Sequence, residues 1–444
     1  MHRNLLVRNS HRRLANWCLP LSLLLALPAG VMGQTSSVAA DGVVSELSFS
    51  SDLTVWPNLE SHANSDSWLA SHHDQLRKMQ PRVLLINFSN DHSADRCLDL
   101  AKKIIAALAE SSRYHGYRNA AAPVFLEYEI FHFVDLRDST LANGNSLKLP
   151  VKDPTARSGF NVKYDAFFST EFAEQLNIRD AKNPKVPLTL TELLERGWVH
   201  EVWFFESGNG NSRIHSGAYE VVELKPQYDK SFKKIDNQYV QAGNGGDSEQ
   251  RWTGRSCRIG CINASRGVGC YLESLAHGLE GTSSSKAIPY FTEYFREYAG
   301  YDLQEKYQLP FESFYSLDYR TGDLQYPTSS SLLVEQAGKK FVVNGYVAAG
   351  GNAHFPPNGR KHYDLDNSGP VLSTIEDWRI GSGPGGEDVR QPFTSAKFER
   401  YRDLAPDCMG RWLVYWRQNM PGLENRQKDN AGNTMKNWIP FLFY

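Results

Sequence analysis

No G-x-G-x-x-G opens a helix after the first apolar strand, and no G-x4-G-K-[ST] occurs, so both nucleotide-binding folds lack their phosphate cradle. A G-x-S-x-G elbow is missing too. The segment "INASRGVG" around Ser265 is not one, and Cys270 lies within an apolar run, which argues against a serine or cysteine nucleophile. There is no excess of either charge: 48 Lys+Arg face 50 Asp+Glu, a formal net charge of -2 that predicts neither a nucleic-acid nor an anionic-membrane partner. Past the N-terminal segment, no apolar run approaches the about 20 residues needed to cross a bilayer. Cysteine is scarce at six, and Cys257, Cys261 and Cys270 lack the C-x2-C pairs of a structural zinc site.

The beginning of the chain carries the compartment signal. "MHRNLLVRNSHRRLANW" is basic, "CLPLSLLLALPAGVMG" is short and apolar, and small residues follow. This is the pattern of a secretory signal peptide over 1–33, with cleavage after Gly33 or Ala40. The Arg12-Arg13 pair leaves the twin-arginine route open beside the general one. The expected product is secreted or periplasmic, with no membrane association after cleavage. Loss of Cys18 with the signal would leave Cys97, Cys257, Cys261, Cys270 and Cys408, an odd set from which export allows one or two disulfides and a free thiol.

Residues 34–66 are Ser-rich and weakly periodic, a loosely ordered lead-in. A single α/β domain is expected over 67–444. "PRVLLINF" (81–88) and "VHEVWFF" (199–205) read as buried strands, and "PVFLEYEIFHFVDL" (123–136) alternates at period two. Helices are expected over 94–116, 189–197, 267–281 and 289–300, with Gly stops after several. Strand–helix–strand alternation predicts a mostly parallel sheet flanked by helices. From about 301 the chain is rich in Gly, Pro, Asn and aromatics, a loop-rich C-terminal half.

The chemistry-bearing stretch is "GVGCYLESLAHGLEG" (267–281). Glu273, His277 and Glu280 stand at i, i+4 and i+7 and so share one helix face, beside a stripe of Val268, Leu272, Leu275 and Leu279. A buried carboxylate needs a cation, a donor or water. One solution is a zinc ion held by His277, Glu280 and a third ligand, His354 of "GGNAHFPPNGRKHYDLDN", with Glu273 as the base for a bound water. The other is a structural network in which His277 bridges carboxylates, with Arg266 or Arg296 as counter-charge. Asp364, Asp366 and Asn367 offer oxygens for Ca2+, the second candidate cofactor, although Asx turns explain them equally well. Glu206, at a strand end, can be paired with a helix glutamate in a metal-free glycosidase.

The order "SLAHGLE", "GNAHFPPN", "HYDLDNSGPVLSTIEDW" and a closing "WLVYW…MPG…NWIPF" resembles a family of secreted bacterial and fungal proteins of unassigned function. In that family S-F-G-H-R-x-E on a helix precedes G-N-x-H-F-x-P-N and Y-D-[YF]-x-N, followed by D-W and N-W. The likeness spans roughly 80–444. His277, Glu280, His354, Asn358, Tyr363, Asp364, Asn367, Asp377 and Trp378 fall on matching positions. Leu275, Ala276 and Gly278 stand where the family has Phe, Gly and Arg, and Glu206 has no counterpart. The resemblance implies a site around both histidines and supplies no reaction. The expected function is an exported metal-dependent hydrolase acting on extracellular peptide or glycan. The alternatives are the paired-carboxylate glycosidase and a non-catalytic secreted binding or surface protein.

Overall fold

The computed structural model describes residues 42–45, 47–61, 66–137, 162–207, 220–244, 250–318 and 323–444. The signal segment, residues 34–41, 46 and 62–65 of the lead-in, and residues 208–219 and 245–249 lie outside them. The elements used below are β1 (Arg82–Asn87), α1 (Ala94–Ser111), β2 (Glu129–Asp135), β3 (Glu201–Glu206), β4 (Val221–Tyr228), β5 (Lys234–Gln241) and β6 (Cys257–Asn263). They continue with α2 (Val268–Ser284), α3 (Pro289–Tyr298), β7 (Asp323–Thr328), β8 (Ser331–Gln336), β9 (Lys339–Asn344) and α4 (Gly410–Gln418).

The chain folds as mixed α/β around a six-stranded sheet of order β5-β4-β6-β3-β1-β2. From β2 to β6 neighbouring strands are parallel, but β4 pairs antiparallel with β6 and β5 antiparallel with β4, so the sheet is mixed. Both faces are covered. Val83 and Leu85 of β1 pack with Ile104 of α1 and Leu272 of α2, while Leu84 and Ile86 pack on the opposite side with Phe167 and Leu193. A strand buried on two faces has to be apolar at consecutive positions, which is why β1 and β3 read as continuous runs. Residues 301–444, expected to be rich in loops, include the antiparallel meander β7–β8–β9 and helix α4.

Helix α1 starts at Ser93, whose hydroxyl accepts from the Arg96 amide at 3.3 Å. It stops at Ser111, short of Gly116, because the Ser111 and Ser112 hydroxyls take the Leu108 and Ala109 carbonyls at 2.8 and 2.7 Å. No helix among the described residues is long and apolar enough to cross a membrane. The five described cysteines are all free, so the expected bridge is not formed among them.

Helix α2 is buried on nearly every side, and it begins at Gly267 without a side-chain cap of its own. The missing acceptor comes from far along the chain. Asp407 accepts from the Gly267, Gly269 and Cys270 amides at 3.0, 2.7 and 3.1 Å. This satisfies donors that a helix start leaves open and sets a negative charge at the positive end of the dipole. The same junction is tight: a Cβ on Gly269 would stand 1.9 Å from the Asp407 carbonyl oxygen and 2.8 Å from the Gly410 Cα. Gly278, on the same helix, meets nothing closer than 3.6 Å. Gly269→Ala is therefore expected to cost about 1–3 kcal/mol or more by overpacking rigid backbone. Gly278→Ala is expected to be neutral or to gain up to about 1 kcal/mol of helix propensity. Urea unfolding of the two variants side by side checks the contrast, and equal stabilities would refute it.

Candidate metal centre

Helix α2 presents Glu273, His277 and Glu280 toward the loop 351–363, and that loop is held by both neighbouring helices. Trp412 and Trp416 of α4 donate indole N–H bonds to the Asn352 and Gly351 carbonyls, each at 2.9 Å. The Asn352 carboxamide oxygen accepts from the His354 and Phe355 amides, both at 3.1 Å. The Ala353 amide donates to Glu280 Oε1 at 3.0 Å, which ties the loop to α2. Gly351 sits at φ +75°, a turn that a side chain would strain. His354 is thereby buried beside His277, with ring centroids 5.0 Å apart at 79°.

One ligand atom from each of Glu273, His277 and His354 falls within a 4.8 Å cluster. Two atoms on one zinc ion, at 2.0–2.1 Å each, can be at most about 4.2 Å apart, so the group closes on an ion with a shift of about half an ångström. His354 Nε2 lies 2.9 Å from Glu273 Oε1, and His277 Nε2 lies 3.8 Å from the same oxygen. Tyr363 donates its hydroxyl to Glu273 Oε1 at 2.7 Å and also meets His354 Nε2 at 2.9 Å. The Cys408 thiol donates to Glu273 Oε2 at 2.6 Å. Burial works against the Glu273 anion, but the bonds from His277, His354, Cys408 and Tyr363 outweigh it and hold its pKa well below the usual carboxylate range.

The outer nitrogens of both imidazoles are engaged. His277 Nδ1 bonds Glu280 Oε2 at 2.7 Å, and Glu280 is held in turn by the Tyr315 hydroxyl at 2.9 and 3.1 Å. His362 Nε2 faces the Leu317 carbonyl at 3.3 Å, and a carbonyl can only accept, so that nitrogen carries the proton. A neutral His362 then accepts at Nδ1 from His354 Nδ1, 3.1 Å away. Burial lowers the His362 pKa and favours this neutral form. His354 is left with Nε2 turned to Glu273. A lone pair and a carboxylate oxygen 2.9 Å apart repel unless a proton or a cation lies between them.

Three carboxylates converge here, because Glu220 Oε2 also stands 3.8 Å from His277 Nε2. Burial opposes a charged His277, yet the bonds to Glu273 and Glu280 push its pKa up to about 10. The Glu220 pKa is raised by desolvation and the neighbouring Glu273, against the pull of His277. Arg266 contributes a nearby positive charge through a bond to the Cys408 thiol, whereas Arg296 pairs with Glu305 and Glu312 at 3.2 and 3.3 Å.

The structure thus groups Glu273, the residue expected to serve as base, with the two histidines, and places Glu280, expected as a ligand, on the outer nitrogen of His277. Spacing alone could not separate the two, since both carboxylates share the histidine's face. Tyr363 reaches the cluster from the left-handed region at φ +61°, a conformation uncommon for a side chain of its size and one that concentrates at functional sites. The other expected residues do other work. Asn358 and Asn367 bond each other's carbonyls, both at 2.6 Å. Asp364 accepts from the Arg360 amide and guanidinium and from the Asp366 amide. Asp366 pairs with Arg411 at 3.1 Å through a carboxylate that is largely exposed. Asp377 holds Arg118 at 2.8 Å, and Trp378 donates to Glu297. Glu206 is buried at the end of β3, in register with Asn263 of β6. Glu220, Tyr315, His362 and Cys408 were not expected. Glu220, Tyr315 and Cys408 stand apart from any motif and only folding brings them in, while His362 opens the quoted stretch "HYDLDNSGPVLSTIEDW" without a role having been read for it.

Comparisons with family models, with curated proteins and with solved structures give no match.

Proposed function

We propose that this chain is an exported hydrolase acting on extracellular peptide or glycan, with a zinc ion held by Glu273, His277 and His354. The observation that carries this reading is the pair of Nε2 atoms directed at Glu273 while each opposite nitrogen is fixed, one by Glu280 and one through His362 to a carbonyl. Metal-bound histidines are oriented by this kind of outer partner. The donor set of two imidazoles and one carboxylate is that of a catalytic zinc, with a further coordination position left for water. Such an ion lowers the pKa of its water and polarises the bond to be cleaved. With Glu273 among the ligands, the base role passes to Glu220, whose raised pKa and placement 3.8 Å from His277 Nε2 suit it to accept a proton. Tyr363, exposed to 42%, is the donor that an incoming substrate meets beside Glu273.

A second reading has its own support. With protons in place of the ion, His354 and His277 close a complete ion-pair network on Glu273 and Glu280, and the raised His277 pKa agrees with that state. Elemental analysis of the purified full chain separates the two. About one zinc per chain is expected, with hydrolysis of a peptide or glycan panel abolished by chelation and restored by zinc. A metal-free protein whose Tm does not respond to added zinc would leave the network, and with it the paired-carboxylate or non-catalytic alternatives.

A further inference from the structure

On the far side of α2 from the histidines, a second group has no place in the proposed chemistry. Arg417, in the last turn of α4, is 7% exposed, and among the described residues it makes no hydrogen bond or ion pair through its guanidinium. Its Nη1 is buried without a partner. The neighbouring buried cations are matched. Arg258 has Glu201 at 2.5 Å, Lys225 has Glu223 at 3.0 Å, and Lys234 has Asp66 at 3.1 Å. Burial lowers its pKa to about 10, with Tyr128 and Glu201 acting against burial and Arg258 adding to it, so it is still charged at neutral pH. A buried cation without a counter-charge costs several kcal/mol.

Arg417 forms one wall of a hollow of about 10 Å³, room on the scale of a single water or a monatomic ion. Ser111, Ser112, Leu279, Met420, Pro421 and Leu442 supply most of the rest. The hollow therefore has a fixed positive charge, two serines whose hydroxyls already donate to the Leu108 and Ala109 carbonyls, and largely apolar walls elsewhere. No carboxylate among the described residues lines it, and a polyatomic anion such as sulfate exceeds its size.

We propose that the hollow beside Arg417 is a binding site for a halide-sized monovalent anion. The anion neutralises the guanidinium and locks the junction of α1, α2 and α4, whose residues line the hollow. Chloride fits this chemistry, and water fits the space but not the charge.

Two measurements on the full chain test it. In thermal unfolding, sodium chloride or bromide is titrated against sodium gluconate at constant ionic strength. A saturable Tm rise of about 1–2 °C is expected for wild type and none for Arg417→Met. Bromide-soaked crystals should show an anomalous peak at the guanidinium. The peak decides the matter if Arg417→Met does not fold. A rise of the same size in both proteins, or a solvent peak without bromide signal, overturns the proposal. Chelation of zinc should leave the halide response intact, which keeps this outcome separate from the fate of the metal centre.

Discussion

In His354→Ala, zinc affinity is expected to fall by more than about 10²-fold, while Glu280→Gln falls by about 10–100-fold. The difference follows from position. His354 Nε2 is a proposed ligand atom, whereas Glu280 would act on the ion only through His277 Nδ1, 2.7 Å away, and outer partners of metal-bound histidines have effects of the smaller size. Glu280→Gln keeps the shape and can still accept from the Tyr315 hydroxyl and the Ala353 amide, so the fold should hold. Competition titration against a chromophoric chelator reads both constants. Should Glu280→Gln lose as much as His354→Ala, Glu280 would be a ligand after all, and the assignment of Glu273 in its place would be wrong.

The largest stability loss is expected at Glu201. Its side chain is 1% exposed and accepts from Arg258 at 2.5 Å, from the Tyr128 hydroxyl at 2.8 Å and from the Trp203 indole at 2.9 Å. Glu201→Gln leaves the buried Arg258 uncompensated, and breaking such a pair costs about 3–5 kcal/mol. Removing both charges, as in Glu201→Gln with Arg258→Met, should cost less than the two single changes added together, because the stranded cation goes too. Urea unfolding of the four proteins measures the cycle. A single-variant loss under about 1 kcal/mol would mean that water reaches and solvates Arg258.

The sequence shows most plainly the parts whose local pattern agrees with their burial. β1 and β3 lie in the middle of the sheet and are apolar on both faces, and α2 carries an apolar stripe and is buried nearly all round. β4 was hidden by its own chemistry: Glu223 and Lys225 alternate with Val222 and Leu224, yet all four are buried, because the two charges meet across 3.0 Å. β5 is an exposed edge with scattered polarity, and it carries no period to read. With that hairpin unseen, the sheet looks more parallel than it is. At the site, the helix face and the proline-flanked histidine are visible in the sequence, but the choice between two carboxylates is not. It is made by Tyr315 and the Ala353 amide, which draw Glu280 away, and by Cys408 and Tyr363, which hold Glu273 in place.

The cap that Asp407 places on α2 bears on the order of synthesis. It joins residues about 140 positions apart, and Cys408 beside it completes the cluster around Glu273. A nascent chain that has emerged only as far as His354 carries every proposed ligand but lacks the carboxylate that fixes the start of their helix. Capture of a cation should therefore trail translation until the segment around 407–410 has left the ribosome and docked, so the centre matures late and as one event.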